Sequence, residues 1–279
     1  MILVLFYRTT KSHQTHSRHM SVNTTELSIE IIDIVSDRDG ARLRDIVEEV
    51  DVAKSTAHKH LTTLRDSGFL VKRGEIYQVG LRFLNYGEQA RSRWPGYPHI
   101  EEAIAALTER TEEECDFVAP DRGRVITIAE SYHKWAKFEG TTTDGPSKEY
   151  RARTGSYYHM HATASGLAVL STYSKSRVED VIERWGLPAR TDHTITSREE
   201  LHAELEQIRE RGYAVDDQGY TDGMRSIGKA VHGPEGDVIG ALSVSGPTYR
   251  VDGMVLEQEV PNALRDVVDE LEERLRTTN

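Results

Sequence analysis

The stretch Ala53–Leu70, AKSTAHKHLTTLRDSGFL, carries a helix, its stop and the first residue of a strand. Ala57, Leu61 and Leu64 recur at helical spacing and predict a buried stripe. Ser55 is a good capping residue, so the helix is expected to open there. Gly68 is placed to end it. With the apolar stripe inward, Thr56, Lys59, His60 and Thr63 fall on the opposite face. Lys54, Ser55 and His58 gather at the N-terminal end. A recognition helix presents that end to base edges in the major groove of duplex DNA. Its free N–H groups and hydroxyls suit phosphate oxygens.

Reading outward in both directions completes a small domain. Upstream, Leu27, Ile31, Ile34 and Val35 mark a helix stopped by Asp39-Gly40. Leu43, Ile46, Val47 and Val50 mark a second, short one, followed by a turn over 51–54. Downstream, strands are expected over Leu70–Lys72 and Ile76–Val79, joined by Arg73-Gly74-Glu75. Lys72 and Arg73 at the tip of that hairpin can neutralise flanking phosphates. Three helices and a basic-tipped hairpin make a winged helix-turn-helix. Between Arg38 and Arg82, nine Lys/Arg face seven Asp/Glu, whereas the whole chain carries −11. The acidic excess therefore lies elsewhere, which argues against a protein that coats nucleic acid without selectivity. The plainer alternative is a helical domain that binds protein.

The 279 residues fit two domains. Residues 1–24 are polar and aperiodic after a short apolar opening, and are expected to be poorly ordered rather than a signal peptide. The winged helix is expected over 25–80 and a linker helix and hinge over 81–98. Within the linker, Leu81, Leu84 and Tyr86 lie on one side, and Pro95–Pro98 break it. An effector-binding and oligomerisation domain is expected over 99–279. There Ile100, Ile104 and Leu107 mark a helix, and Cys115–Ala119 and Val125–Glu130 mark strands. Residues 139–150 read as a loop. Ala164–Tyr173 and Val178–Trp185 look helical, and Ser197 caps a helix buried through Leu201, Leu205 and Ile208. Ser226–Val231 and Val238–Ser245 form a hairpin. Val260, Leu264, Val267, Leu271 and Leu275 line a last helix. Helices mixed with hairpin-linked strands argue for an α+β fold.

At this point the sequence resembles the IclR family of transcription regulators, from residue 25 to about 260. AKSTAHKHLTTLRDSGFL is similar to the family's recognition-helix signature, with Lys59 where most members carry Arg. YQVGLRFLNYG at 77–87, HATASGLAVLS at 161–171, TSREELHAELEQIRERGYAVDD at 196–217 and ALSVSGP at 241–247 match further family blocks, in order. The resemblance implies a GAF-like second domain with an antiparallel sheet. It also implies an effector pocket on Ala164, Ser165, Asp216, Ser226, Ser243 and Ser245. The residues support that placement. Ala164 and Ser165 precede a helix, whose N–H groups can receive a carboxylate. Ser243 and Ser245 share one face of a strand. Such a lining suits a small organic acid or a hydroxylated metabolite. Two features depart from the family: Gln218-Gly219 replaces acidic residues, and Ser226 stands where many members place Cys. Arg225 could add anion-binding character or form a surface ion pair.

Other signals carry less. His13, His16 and His19 fall in the aperiodic segment. His159 and His161 would share a strand face but have no evident third metal ligand. Cys115, the sole cysteine, excludes an internal disulfide and a thiolate zinc cluster, suits a reducing cytoplasm, and reads as inert. No apolar run approaches the ~20 residues of a membrane helix. No phosphate loop, nucleophile elbow or catalytic triad is tied together by motif, so no cofactor, metal or catalytic residue is expected. The expectation is a homodimeric or tetrameric regulator on a palindromic operator. An enzyme acting on the pocket's ligand and a protein-interaction adaptor are the rivals.

Overall fold

The computed structural model describes residues 22–132 and 153–277. The poorly ordered stretch expected over 1–24 and the loop expected over 139–150 therefore lie largely or wholly outside the described residues. The chain divides into two compact units after Ala90.

The first unit comprises α1 (Asn23–Asp37), β1 (Ala41–Arg42), α2 (Leu43–Val50), α3 (Lys54–Asp66), β2 (Leu70–Arg73) and β3 (Ile76–Val79). Its core is the stripe read from sequence: Ile31, Val35, Ile46, Leu61 and Leu70 are fully buried. The antiparallel sheet has the order β1-β3-β2, so a short strand that the hydrophobic pattern did not reveal joins the hairpin. Asp51 in the left-handed conformation (φ 49) ends α2 and turns the chain into α3. Here one expectation fails. α3 opens at Lys54, its N-cap is Ala53, and no side chain caps it. Burial of Ala57, Leu61 and Leu64 sets the helix register, which leaves Ser55 inside the first turn with its hydroxyl exposed. Gly80 closes the hairpin against the end of α3: a Cβ there would lie 2.3 Å from the Gly68 carbonyl oxygen.

The linker helix α4 (Arg82–Ser92) buries no residue. Leu81 and Leu84 are 84% and 68% exposed. Its first turn is anchored by Arg82, which donates to the Ser67 carbonyl and lies 4.9 Å from the Phe69 ring centroid. The expected break at 95–98 shifts towards the N-terminus. α5 (Tyr97–Thr111) already contains Pro98, because a proline in the first turn removes an N–H that has no helical partner.

The second unit is built on one antiparallel sheet of order β6-β5-β4-β9-β8-β7. Its strands are β4 (Glu114–Asp121), β5 (Arg124–Ser131), β6 (Tyr157–His159), β7 (Ala214–Asp217), β8 (Met224–His232) and β9 (Val238–Pro247). α5 and α9 (Val260–Thr277) share a core with Phe117, Leu242, Val244 and Ile227. α6 (Ala164–Ser171), α7 (Lys175–Trp185) and α8 (Arg198–Arg211) share the other core with Val118, Ala241 and Ala214. Neighbouring Phe117 and Val118 of β4, and Ala241 and Leu242 of β9, turn to opposite cores, as the pleat requires. The α+β expectation holds. The hairpin 224–247 and the helices at 198–211 and 260–277 fall where the sequence placed them, and β7 is an addition to it. His159 and His161 do not share a strand face as expected: β6 ends at His159, and Met160–Ala162 form a 3-10 turn that takes His161 off the strand. Cys115 is buried, which pushes its thiol up to about 12 and keeps it protonated.

Candidate nucleic-acid interface and effector pocket

α3 exposes Lys54, Ser55, His58, Lys59 and Thr63, with Thr56 half-buried beside them. The first turn has no acidic residue and no capping side chain. The backbone N–H groups of Lys54 and Ser55 are therefore uncommitted, and the helix dipole adds partial positive charge at that end. Lys54, Lys59 and Arg73 form no ion pair among the described residues. Lys72 is less free: its Nζ lies 3.7 Å from Glu75 and 5.3 Å from the Tyr77 ring centroid. Thr63 donates its hydroxyl proton to the Lys59 carbonyl (3.1 Å) and keeps only acceptor capacity outward. His60, expected on the open face, turns instead to α1, where its Nδ1 lies 2.7 Å from the Ser28 hydroxyl. Thr24, Thr25 and Ser28 of α1 thereby join Lys59 and Thr63 around a shallow depression. The sequence reading missed these three. Their signal was the polar side of α1, which has no meaning until the crossing of α1 and α3 is known.

In the second unit, Ala164, Ser165, Asp216, Ser226, Ser243 and Ser245 all line one cleft of about 560 Å³, open solvent at its mouth included. Strand register assembles it. Glu114 pairs with Ser245, Ser245 with Ser226, and Ser226 with Asp216, giving a polar row across β4, β9, β8 and β7. The next row begins Asp116, Ser243, Gly228. Gly228 lets the N-terminus of α6 close the cleft: a Cβ there would lie 2.6 Å from the Ala164 carbonyl carbon and 2.7 Å from the Ser165 nitrogen. Thr163 caps α6 by accepting from the Gly166 N–H (3.1 Å).

Among the described residues that line the cleft, every charged side chain is a carboxylate. Asp116 is 5% exposed and accepts a hydrogen bond from the Ser243 hydroxyl. Burial pushes its carboxyl up to about 6 despite that bond. Asp216 is 8% exposed and accepts from the Gly219 N–H at 2.8 Å and the Tyr220 N–H at 3.4 Å. Burial again dominates and raises it to about 7. Ser226 and Ser245 share a hydrogen bond of 2.9 Å. The sequence reading missed Glu114, Asp116, Tyr158, Tyr220 and Met224. Glu114 and Asp116 were visible as the polar alternates of the Cys115–Ala119 strand.

The remaining candidates resolve simply. Arg225 sits between Asp217 (2.9 Å) and Asp252 (2.8 Å), so it is a surface ion pair and not a cleft residue. The His159 and His161 rings are 5.7 Å apart, and His161 Nε2 lies 3.1 Å from the Pro188 carbonyl. Burial lowers His159 to about 4. No cluster of three metal-ligating groups occurs among the described residues. None of their helices is long and apolar enough to cross a membrane.

Comparison with known proteins bears on both regions. Residues 28–74 match the IclR helix-turn-helix domain, and residues 100–273 match the family described as bacterial transcriptional regulator IclR, C-terminal. The chain is 30% identical to a probable HTH-type transcriptional regulator ArcR of Halobacterium salinarum, over 90% of this chain and 92% of that one. It is 24% identical to the acetate operon repressor of Salmonella typhimurium, over 82% of each. In fold it is similar to the IclR crystal structure of Thermotoga maritima, with TM-score 0.69, 24% identity and coverage of 92% and 100%. It is also similar to an IclR homolog of Microbacterium hydrocarbonoxydans complexed with 4-hydroxybenzoate, with TM-score 0.70, 21% identity and coverage of 91% and 99%. This chain belongs to the IclR family of transcription regulators, with a DNA-binding helix-turn-helix domain and a C-terminal effector domain.

Proposed function

We propose that the chain reads its operator with the first turn and outer face of α3. Lys54, Ser55, Thr56, His58, Lys59 and Thr63 enter the major groove, and Lys72 and Arg73 on the wing hold flanking phosphates. The carrying observation is the uncommitted positive end of α3, where two lysines and free N–H groups meet no carboxylate among the described residues. On this reading, residues 25–80 are the reader, 81–98 the linker, and 99–279 the effector and oligomerisation domain. The protein works in the cytoplasm as a homodimer or a dimer of dimers. Two-fold symmetry then calls for a palindromic operator with half-sites about one DNA turn apart.

The effector occupies the cleft between the β4-β9-β8-β7 face and the N-terminus of α6, held by Ala164, Ser165, Asp216, Ser226, Ser243 and Ser245. It is bound and released unchanged, so the protein is a regulator and not an enzyme. Binding changes operator affinity by about 1–3 kcal/mol. Footprinting on DNA flanking the gene, repeated over a salt series, tests the first part. A protected palindrome whose affinity falls steeply with salt is expected. Weak, salt-insensitive binding with no protected site would refute it.

A further inference from the structure

The depression between α1 and α3 extends the operator face, and this step rests on the reading of α3 as the element that enters the major groove. Thr24, Thr25 and Ser28 of α1 border the depression on one side, and Lys59, His60 and Thr63 of α3 on the other. Lys59 and Thr63 already belong to the operator face, so the depression carries that face onto α1. Thr24 and Thr25 are exposed and Ser28 is half-buried. At about 100° per residue, these three fall within roughly 100° of arc around the helix axis. Glu26 and Glu30, the nearest carboxylates along α1, fall at least about 100° outside that arc.

One hydrogen bond holds this side of α1 against α3, and its direction follows from proton counting. Ser28 donates its hydroxyl proton to the Thr24 carbonyl at 3.1 Å. A hydroxyl has a single proton, so the 2.7 Å contact between Ser28 Oγ and His60 Nδ1 takes its proton from the ring. His60 therefore carries the Nδ1–H, and the bond ties the start of α1 to the middle of α3 beside Lys59. The width of the groove decides what α1 meets there. A helix about 10–12 Å across fills a major groove about 12 Å wide. An element packed beside α3 thus stands over the sugar–phosphate backbone and not over base edges. Threonine hydroxyls next to an ammonium group suit a phosphodiester oxygen.

We propose that the first turn of α1 grips one backbone phosphate of the operator, just outside the bases that α3 reads. Thr24 and Thr25 donate to its non-bridging oxygens, and Lys59 on the shared rim supplies positive charge. Ser28 and His60 do not touch DNA. They are positioning residues that hold α1 in place against α3.

The duplex protected in footprinting is resynthesised with a single neutral methylphosphonate at each backbone position in turn, and the full-length protein is titrated against each by fluorescence anisotropy. The parent is expected to show several sensitive phosphates. The double variant Thr24→Val, Thr25→Val keeps the side-chain shape and removes both hydroxyls. It is expected to bind the unmodified duplex at least about tenfold more weakly and to lose sensitivity at one phosphate per half-site while keeping the others. Its salt slope stays at the parent's because no cation is lost, whereas Lys59→Ala lowers the slope by about one. His60→Asn keeps an N–H near the Nδ1 position and retains affinity and the sensitive phosphate; His60→Gln moves that N–H to the Nε2 position and loses both. Equal behaviour of the two His60 variants overturns the positioning role. Unchanged binding by the double variant, or a phosphate map identical to the parent's, overturns the grip and leaves α3 as the reader. Inorganic phosphate titrated calorimetrically without DNA is expected to be silent; binding that the double variant loses would assign the depression to a free anion and overturn the grip too. Absence of any protected duplex refutes the reader, and the grip with it.

Discussion

The outer face of α3 and the cleft beneath α6 each gather charge of one sign among the described residues, and they do so under opposite conditions. On α3 the charge is positive and in water, where an unpaired lysine costs almost nothing until a phosphate replaces its counterions. In the cleft Asp116 and Asp216 are buried, and the loss of water raises their titration despite the hydrogen bonds they accept. The first region is thus a standing surface for a large anionic partner. The second is a cavity whose two buried aspartates hold their protons to about pH 6 and pH 7. The contrast teaches that a surface site can be read from residue type alone, whereas a buried site is defined by which residues the fold withdraws from water together.

The largest expected effect falls on the cleft. Gly228→Val would push a side chain into the Ala164–Ser165 backbone, which cannot move without displacing α6. A loss of about 3 kcal/mol or more in the second unit is expected, read as a lower melting midpoint. A variant as stable as the parent would show that α6 does not close the cleft as described. Next comes Lys59→Ala on the open face. It should weaken specific operator binding by roughly 1–3 kcal/mol and flatten the salt slope, with thermal stability unchanged. Unchanged operator affinity in a gel shift would remove Lys59 from the interface.

The comparison sharpens with pH. The Asp216 carboxyl is raised to about 7 in the folded protein, above its ordinary 3.8. The folded state therefore holds the proton more tightly, and the stability it gains at acid pH is lost as pH rises through about 7. Asp216→Asn removes that penalty. Relative to the parent, it should gain on the order of 2–3 kcal/mol between pH 5 and pH 8. A stability difference between variant and parent that is flat across that range would refute the buried placement of Asp216. The smallest effect is at Ser55. Because Ala53 is the N-cap, Ser55→Ala should change stability by less than about 0.5 kcal/mol. The same variant should measurably weaken operator binding. A stability loss of about 1 kcal/mol would restore Ser55 as the cap.

Some of this was legible in the chain before any coordinates. The 3.6-residue spacing of Ile31, Ile34, Val35, Ala57, Leu61 and Leu64 placed α1 and α3, and all six are buried. Ser197 and Gly212 bounded α8, where Ser197 accepts from the Glu200 N–H and Gly212 adopts φ 84. These signals are local: each rests on contacts within a few residues. The α3 start was misplaced by one residue for a related reason. Capping preference is a weak local term, and the packing of Ala57 overrode it.

What the sequence by itself determined is therefore the set of elements and the polarity of their faces: three helices and a hairpin, then strands whose alternate residues are polar. Tertiary structure alone decided that Glu114, Ser245, Ser226 and Asp216 fall in one row, and that His60 turns to Ser28. Register between strands more than a hundred residues apart follows from burying Phe117, Leu242 and Ile227 together in one core. No local pattern encodes that condition, because a slip of a single residue would send every one of these polar side chains to the other face of the sheet.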